Sequence, residues 1–215
     1  MNSTVFDCVL FDLDGTLADT VPLIIASFQR TTAELLGRPA SEADSRQWIG
    51  RSLRETFTAL APDRVDELTA HYLSWNLANH RAYVRPFEGV PELVDALAPA
   101  GRNFGVATSK RYESAVVTLD CAGLAGRIRL LATEEDTAAH KPSPEPLLHA
   151  LAVVGVDPAE AVYVGDTVVD LQAAHAAGMA SIAVTWGAAT RDELAGENPS
   201  AIVETPGELR ALLGV

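Results

Sequence analysis

Two aspartates one residue apart, Asp12 and Asp14, close the first apolar run of the chain, "VFDCVLFDLDGTLADT" (residues 5–20). Residues i and i+2 of an extended segment face the same side, so both carboxylates can enter one site. Neighbouring carboxylates repel, and a pair kept at this spacing calls for a cation or a shared proton. Asp-Gly is also a common way to end a strand through an Asx-type turn, so the spacing alone leaves both readings standing. A calcium loop is excluded. It needs glycine at position six and glutamate at position twelve, whereas here Gly15 is at position four and Leu23 at position twelve.

Three more groups could join the pair. Thr108, Ser109 and Lys110 follow the run "NFGVA", Asp166 and Asp170 lie in "VGDTVVD", and Lys141 lies in "HKPSPEP". Each has a plain explanation. Thr108 and Asp166 are good helix N-caps, Asp170 suits the first turn of a helix, and a loop lysine is usually solvated. What they share is position. All follow strand-like runs or lie in a loop nearby, and an open parallel sheet binds ligands beyond the carboxyl ends of its strands.

The elements that would place them are short apolar, β-branched runs separated by helical patterns. Val5–Phe11, Phe104–Ala107, Arg129–Leu131, Ala161–Val164 and Ser181–Val184 read as strands, with Ile202–Val203 a weaker one. Pro91–Leu97, Tyr112–Leu119, Pro146–Val153 and Leu171–Ala177 read as helices. This alternation predicts an α/β, doubly wound, Rossmann-like parallel sheet covered on both faces. Residues 17–84 break it. They hold no convincing strand, and Ile24, Phe28, Thr31 and Leu35, then Val65, Leu68, Tyr72 and Trp75, recur at helical spacing. An all-helical domain over 17–84, inserted into a core of 1–16 and 85–215, accounts for this, with hinges at Gly15–Asp19 and Val84–Gly89. Trp48, Trp75 and Phe57 read as the core of that insertion.

Bulk properties narrow the function. Of 215 residues, 48 % are hydrophobic, enough for a sizeable core, and the formal charge of −13 argues against a nucleic-acid partner. No apolar stretch approaches the length of a membrane span. The first basic residue is Arg30, and Asp7, Asp12 and Asp14 interrupt the first apolar run, unlike a signal peptide. Cys8 and Cys121, without CxxC spacing, read as buried thiols in a reducing compartment. The expectation is a cytoplasmic protein, monomer or homodimer, without membrane or nucleic-acid partners.

Together, "FDLDGTLADT", "VATSK", "KPSPEP" and "VGDTVVD" resemble the four successive motifs of the haloacid dehalogenase-like superfamily. The resemblance covers essentially the whole chain, the helical insertion matching that superfamily's cap. "WIGRSLRETF" and "HYLSWNLANHRAYVRPFEGVPEL" are similar to its phosphoglycolate phosphatase and pyrophosphatase-like members.

The resemblance implies a magnesium-dependent phosphatase acting on a small phosphorylated metabolite through an aspartyl-phosphate. Asp12 would attack phosphorus, and Asp14 would move the proton. Mg2+ would be held by the Asp12 and Asp166 carboxylates and the Asp14 carbonyl, with Asp170 behind them. Thr108 and Lys141 would serve the phosphoryl group. Ser109 stands where family members often carry asparagine, which leaves that second donor open. Gly50 and Arg51 would contact the rest of the substrate. Dehalogenases of the superfamily lack an aspartate at position 14, so Asp14 favours phosphate chemistry. A phosphoglycolate-like monoester is the first substrate expected. Pyrophosphate, a nucleotide or a sugar phosphate are alternatives, followed by a phosphomutase similar to β-phosphoglucomutase. A non-enzymatic phospho-receiver is last, since its acceptor aspartate follows the third strand and it has no cap.

Overall fold

The computed structural model of the chain describes residues 6–215; Val5, at the start of the expected first strand, lies outside them. Strand β1 (Cys8–Phe11) is buried throughout. A two-residue strand, β2 (Ala18–Asp19), leads into helices α1 (Val21–Leu36), α2 (Glu42–Gln47), α3 (Leu53–Leu60) and α4 (Val65–Tyr83). After β3 (Arg85–Pro86) and α5 (Val90–Leu97), strands and helices alternate: β4 (Asn103–Ala107), α6 (Tyr112–Cys121), β5 (Leu130–Ala132), α7 (Glu145–Val154), β6 (Ala161–Gly165), α8 (Val168–Ala177), β7 (Ala180–Val184), α9 (Arg191–Gly196), β8 (Ala201–Val203) and α10 (Pro206–Leu213).

Six strands form one parallel sheet in the order β5-β4-β1-β6-β7-β8. The chain winds from β1 out to β5, returns to the other side of β1 as β6, and continues out to β8. The crevice of such a sheet opens where the winding reverses, beyond the carboxyl ends of β1 and its neighbours. Strand alternation sorts the core. Val9 and Phe11 pack with Leu93 and Leu97 of α5, Leu119 of α6 and Leu209 of α10. Cys8 and Leu10 pack on the opposite face with Leu147 and Leu151 of α7 and Ala173 of α8. Apolar residues on both faces of one strand need helices on both sides.

Helices α1–α4 have a core of their own, in which Ile24, Phe28, Phe57, Leu68 and Tyr72 are buried together. Phe28 is its centre, with ring centroids 4.8 Å from Tyr72, 5.0 Å from Trp48 and 5.8 Å from Phe57. Trp75 departs from expectation, packing against the sheet's core from the end of the insertion nearer to it. Cys121 is only half-buried.

The two expected hinges meet as an antiparallel pair, Ala18 opposite Pro86 and Asp19 opposite Arg85. This corrects the strand-free reading of residues 17–84: Ala18–Asp19 is a strand by virtue of its partner, and two residues carry no period of their own. Among the described residues no helix is long and apolar enough to cross a membrane.

Candidate active site

Asp12 is the first residue past β1, and its N–H still donates to Val164 O at 2.9 Å, so the ladder with β6 fixes its backbone. The residue is 2 % exposed. Its Oδ1 accepts from Lys141 Nζ at 2.8 Å, and its Oδ2 accepts no hydrogen bond among the described residues. The same Lys141 ammonium donates to Asp170 Oδ1 at 2.5 Å and to the Tyr163 hydroxyl at 3.1 Å. Tyr163 in turn donates to Ala107 O at 2.7 Å. An ammonium has three protons, and protein groups take all of them. Fully buried, Lys141 serves the site as a fixed positive charge.

Asp166 follows β6 and accepts from the Thr16 hydroxyl at 2.8 Å and from the Ala188 N–H at 2.7 Å. It does not cap α8. Thr167 does, and Asp170 completes the cap by accepting from the Thr167 N–H at 3.0 Å and hydroxyl at 2.6 Å. Nor does Thr108 cap α6, whose N-cap is Arg111. The side chains of Asp166 and Thr108 are thereby free of helix-capping duty. A Cβ on Gly15 would lie 2.2 Å from Asp166 Oδ2, and its φ is +80°. Glycine is needed there both for the turn and for the approach of the carboxylate.

One carboxylate oxygen each from Asp12, Asp166 and Asp170 lie within 4.8 Å of one another. Burial pushes the Asp12 carboxyl up to about 7, Lys141 opposing and Asp170 and Asp14 adding to the rise. Burial likewise pushes Asp166 well above the usual carboxylate range, with Asp170 and Asp12 adding. Three carboxylates facing one ammonium make a poor set of ions without further positive charge. A hard divalent cation would supply it, and an all-oxygen donor set would suit magnesium. Asp170 accepts three hydrogen bonds, from Lys141 and from the Thr167 N–H and hydroxyl, against two for Asp166 and one for Asp12, so Asp12 and Asp166 have the greater capacity for an ion.

Asp14 points elsewhere, its Oδ1 accepting from Lys110 Nζ at 2.7 Å. Burial pushes the Asp14 carboxyl up, but the Lys110 ammonium overrides this and leaves it below its ordinary value. Thr108, 2 % exposed, accepts the Lys110 N–H at 3.2 Å, which leaves its own proton to donate. Ser109, expected beside the substrate, donates its hydroxyl to Gly50 O in the loop between α2 and α3, at 3.0 Å. Its proton is thus engaged across the seam between the helical insertion and the sheet. Asp12, Asp14, Thr108, Ser109, Lys141, Gly50 and Arg51 line one cleft of about 590 Å³ including its mouth, roofed by Phe28, Trp48 and Tyr72. Lys110 lines it too. The sequence places Lys110 with Thr108 and Ser109 at this strand end but assigns it no role; its contact with Asp14 emerges only in the structure.

Residues 9–184 match the profile of the haloacid dehalogenase-like hydrolases. The pyrophosphatase PpaX of Bacillus pumilus is 35 % identical over 214 residues, 100 % of this chain and 99 % of that protein. The pyrophosphatase PpaX of Anoxybacillus flavithermus is 36 % identical over 96 % of both. Among solved structures, a Lactobacillus plantarum protein assigned as a phosphoglycolate phosphatase superposes with a TM-score of 0.87 at 25 % identity, over 97 % of this chain and 99 % of that one.

Proposed function

The chain belongs to the haloacid dehalogenase-like hydrolases, enzymes acting on phosphate esters, and on that footing we propose that it is a magnesium-dependent phosphatase working through Asp12. The observation that carries this reading is the Asp12 carboxylate, fixed at the end of β1 with one oxygen clamped by Lys141 and the other unclaimed among the described residues. Asp14, ionised beside Lys110 in the free site, takes up a proton from solvent as the anionic substrate enters; Asp12 Oδ2 attacks phosphorus, and the bond to the leaving oxygen breaks as that oxygen takes this proton from Asp14. Asp14 then takes a proton from water. The hydroxide oxygen bonds to phosphorus, the Asp12–phosphorus bond breaks, and phosphate leaves. The Thr108 hydroxyl donates to the phosphoryl oxygens, and the Lys141 charge lowers the cost of bringing two anions together, about 4 kcal/mol at 4 Å for an effective dielectric of 20. Asp12, Asp166 and the Asp14 carbonyl would hold Mg2+, Asp170 keeping Lys141 in place, and the ion would neutralise charge on the transferred group. The division into a core of 1–16 and 85–215 and a cap of 17–84 belongs to this proposal, as does a reducing cytoplasmic setting for the free thiols Cys8 and Cys121.

The substrate reading follows the relatives. Pyrophosphatases similar over the full length support inorganic pyrophosphate, and the solved relative supports a phosphoglycolate-like monoester. Phosphate release from both, with Mg2+ and with EDTA, tests the proposal beside Asp12→Asn. Release is expected to need Mg2+ and to fall at least about 10³-fold in Asp12→Asn, the scale of losing a catalytic nucleophile. Release that survives chelation and Asp12→Asn overturns it.

A further inference from the structure

We propose that Lys110 is the specificity-determining cation of the cleft: it binds a second anionic group carried by the leaving half of the substrate, with Arg51 as its partner across the seam. This rests on the phosphatase reading and names the substrate class of the same site: phosphates whose leaving group is itself an anion.

Four observations support it. First, Lys110 gives one proton to Asp14 Oδ1, at 2.7 Å, and its Nζ makes no other hydrogen bond among the described residues. Of its three protons, two are available to a ligand, in contrast to Lys141. Second, the side chain is only 10 % exposed, so these protons do not simply face bulk water. A nearly buried ammonium with open donors favours an anion over a neutral group. Third, the position is right. Asp14 hands its proton to the leaving oxygen and so lies within hydrogen-bond reach of it. Lys110 Nζ is then at most about two hydrogen-bond lengths plus the width of one carboxylate, roughly 8 Å, from that oxygen. A phosphate or carboxylate joined to the leaving oxygen directly or through one carbon falls between them.

Fourth, the other positive charges lining the cleft are committed. Lys141 is bound to Asp12 and Asp170, and Arg111 pairs with Glu135 at 3.1 Å. Arg46, Arg54 and Arg64, near Arg51 in the chain, each have a carboxylate partner. Arg51 has none among the described residues, yet it lines the same cleft as Lys110. The roof above them is apolar, with Ile24, Phe28, Trp48 and Leu53. A second negative charge entering beneath it would be poorly solvated without Lys110.

Lys110 could instead act only by holding Asp14, and the experiment separates the two roles. Steady-state kinetics with Mg2+ compare pyrophosphate and phosphoglycolate, whose leaving halves are anionic, with n-propyl phosphate, whose leaving alcohol is neutral and needs a proton as the glycolate oxygen does. The variants are Lys110→Met and Lys110→Arg. The ratio of kcat/KM for the anionic over the neutral substrates is expected to fall about 10- to 100-fold in Lys110→Met, the worth of one hydrogen bond to a charged group. Lys110→Arg is expected to restore most of it, and Arg51→Ala to lower the same ratio by a smaller factor. If all three substrates lose activity in parallel in Lys110→Met, Lys110 works through Asp14 alone and the proposal fails. If the wild-type ratio already favours n-propyl phosphate, it fails as well. Should the wild-type protein release phosphate from none of them, the phosphatase reading fails first, so the two failures are distinct.

Discussion

Lys141 on the floor of the cleft gives three hydrogen bonds and is wholly buried, whereas Lys110 at its edge gives one and keeps a tenth of its side chain exposed. The same contrast runs through their surroundings. On the floor, Asp12, Asp166 and Asp170 follow two adjacent strands, and each has at least one partner among Lys141, Thr16, Thr167 and Ala188. At the rim, the Gly50–Arg51 loop is tied to the sheet by the hydroxyl of Ser109. A floor with interlocked contacts holds a fixed charge distribution, which is what stabilising a transition state requires. A rim with few contacts can accept different leaving groups. On the proposed function, chemistry belongs to the floor and selectivity to the rim.

The sharpest way to break this contrast is to remove the ammonium it centres on. Lys141→Met keeps an unbranched apolar stem but strands the Asp12 and Asp170 carboxylates. Urea unfolding in EDTA is expected to show a loss of about 3–5 kcal/mol, as when one member of a buried ion pair is removed. Added Mg2+ should recover part of that loss by binding the orphaned carboxylates in the folded state only. Arg51→Ala, at the rim, is expected to change stability by less than about 0.5 kcal/mol. Equal effects from the two would show that floor and rim do not differ as described.

A smaller effect should come from the seam. A Cβ on Gly50 would sit 2.8 Å from Thr167 Oγ1 and 2.9 Å from Val169 Cγ2, at a φ of +85°. Gly50→Ala is therefore expected to push the loop off the start of α8 at a cost of about 1–3 kcal/mol of local strain. In kinetic terms kcat/KM should fall on the order of tenfold, mostly through KM, while the floor residues keep their Mg2+ affinity. A drop in metal affinity as large as the change in KM would mean that the strain reaches the floor.

The sequence exposed the floor more fully than the rim, for physical reasons. Asp12 and Asp166 sit directly past buried strands, and apolar runs mark strand ends well. The two segments expected as hinges pair with each other, Ala18 with Pro86, but they are too short to carry a period. The sequence suggests Asp166 as the cap of α8, whereas the backbone geometry selects its neighbour Thr167. Nothing in one sequence tells which lysine is buried, so Lys141 and Lys110 could not be ranked by their free protons. The Ser109–Gly50 contact spans 59 residues, and no local pattern encodes it.

That contact gives the mildest test and the one that bears most directly on Ser109. If its hydroxyl serves the rim, Ser109→Ala removes one hydrogen bond of roughly 0.5–1.5 kcal/mol, or about 2- to 12-fold in an equilibrium constant. KM should rise by that factor while kcat changes less, and amide exchange over residues 49–54 should quicken because the loop opens more often. If the hydroxyl instead turns to the phosphoryl group once substrate is bound, kcat should fall with little change in exchange. Ser109→Asn separates the cases again. Its longer amide can reach a phosphoryl oxygen but is not shaped to keep the 3.0 Å bond to Gly50 O. Faster turnover with a looser loop would move Ser109 from the rim to the floor.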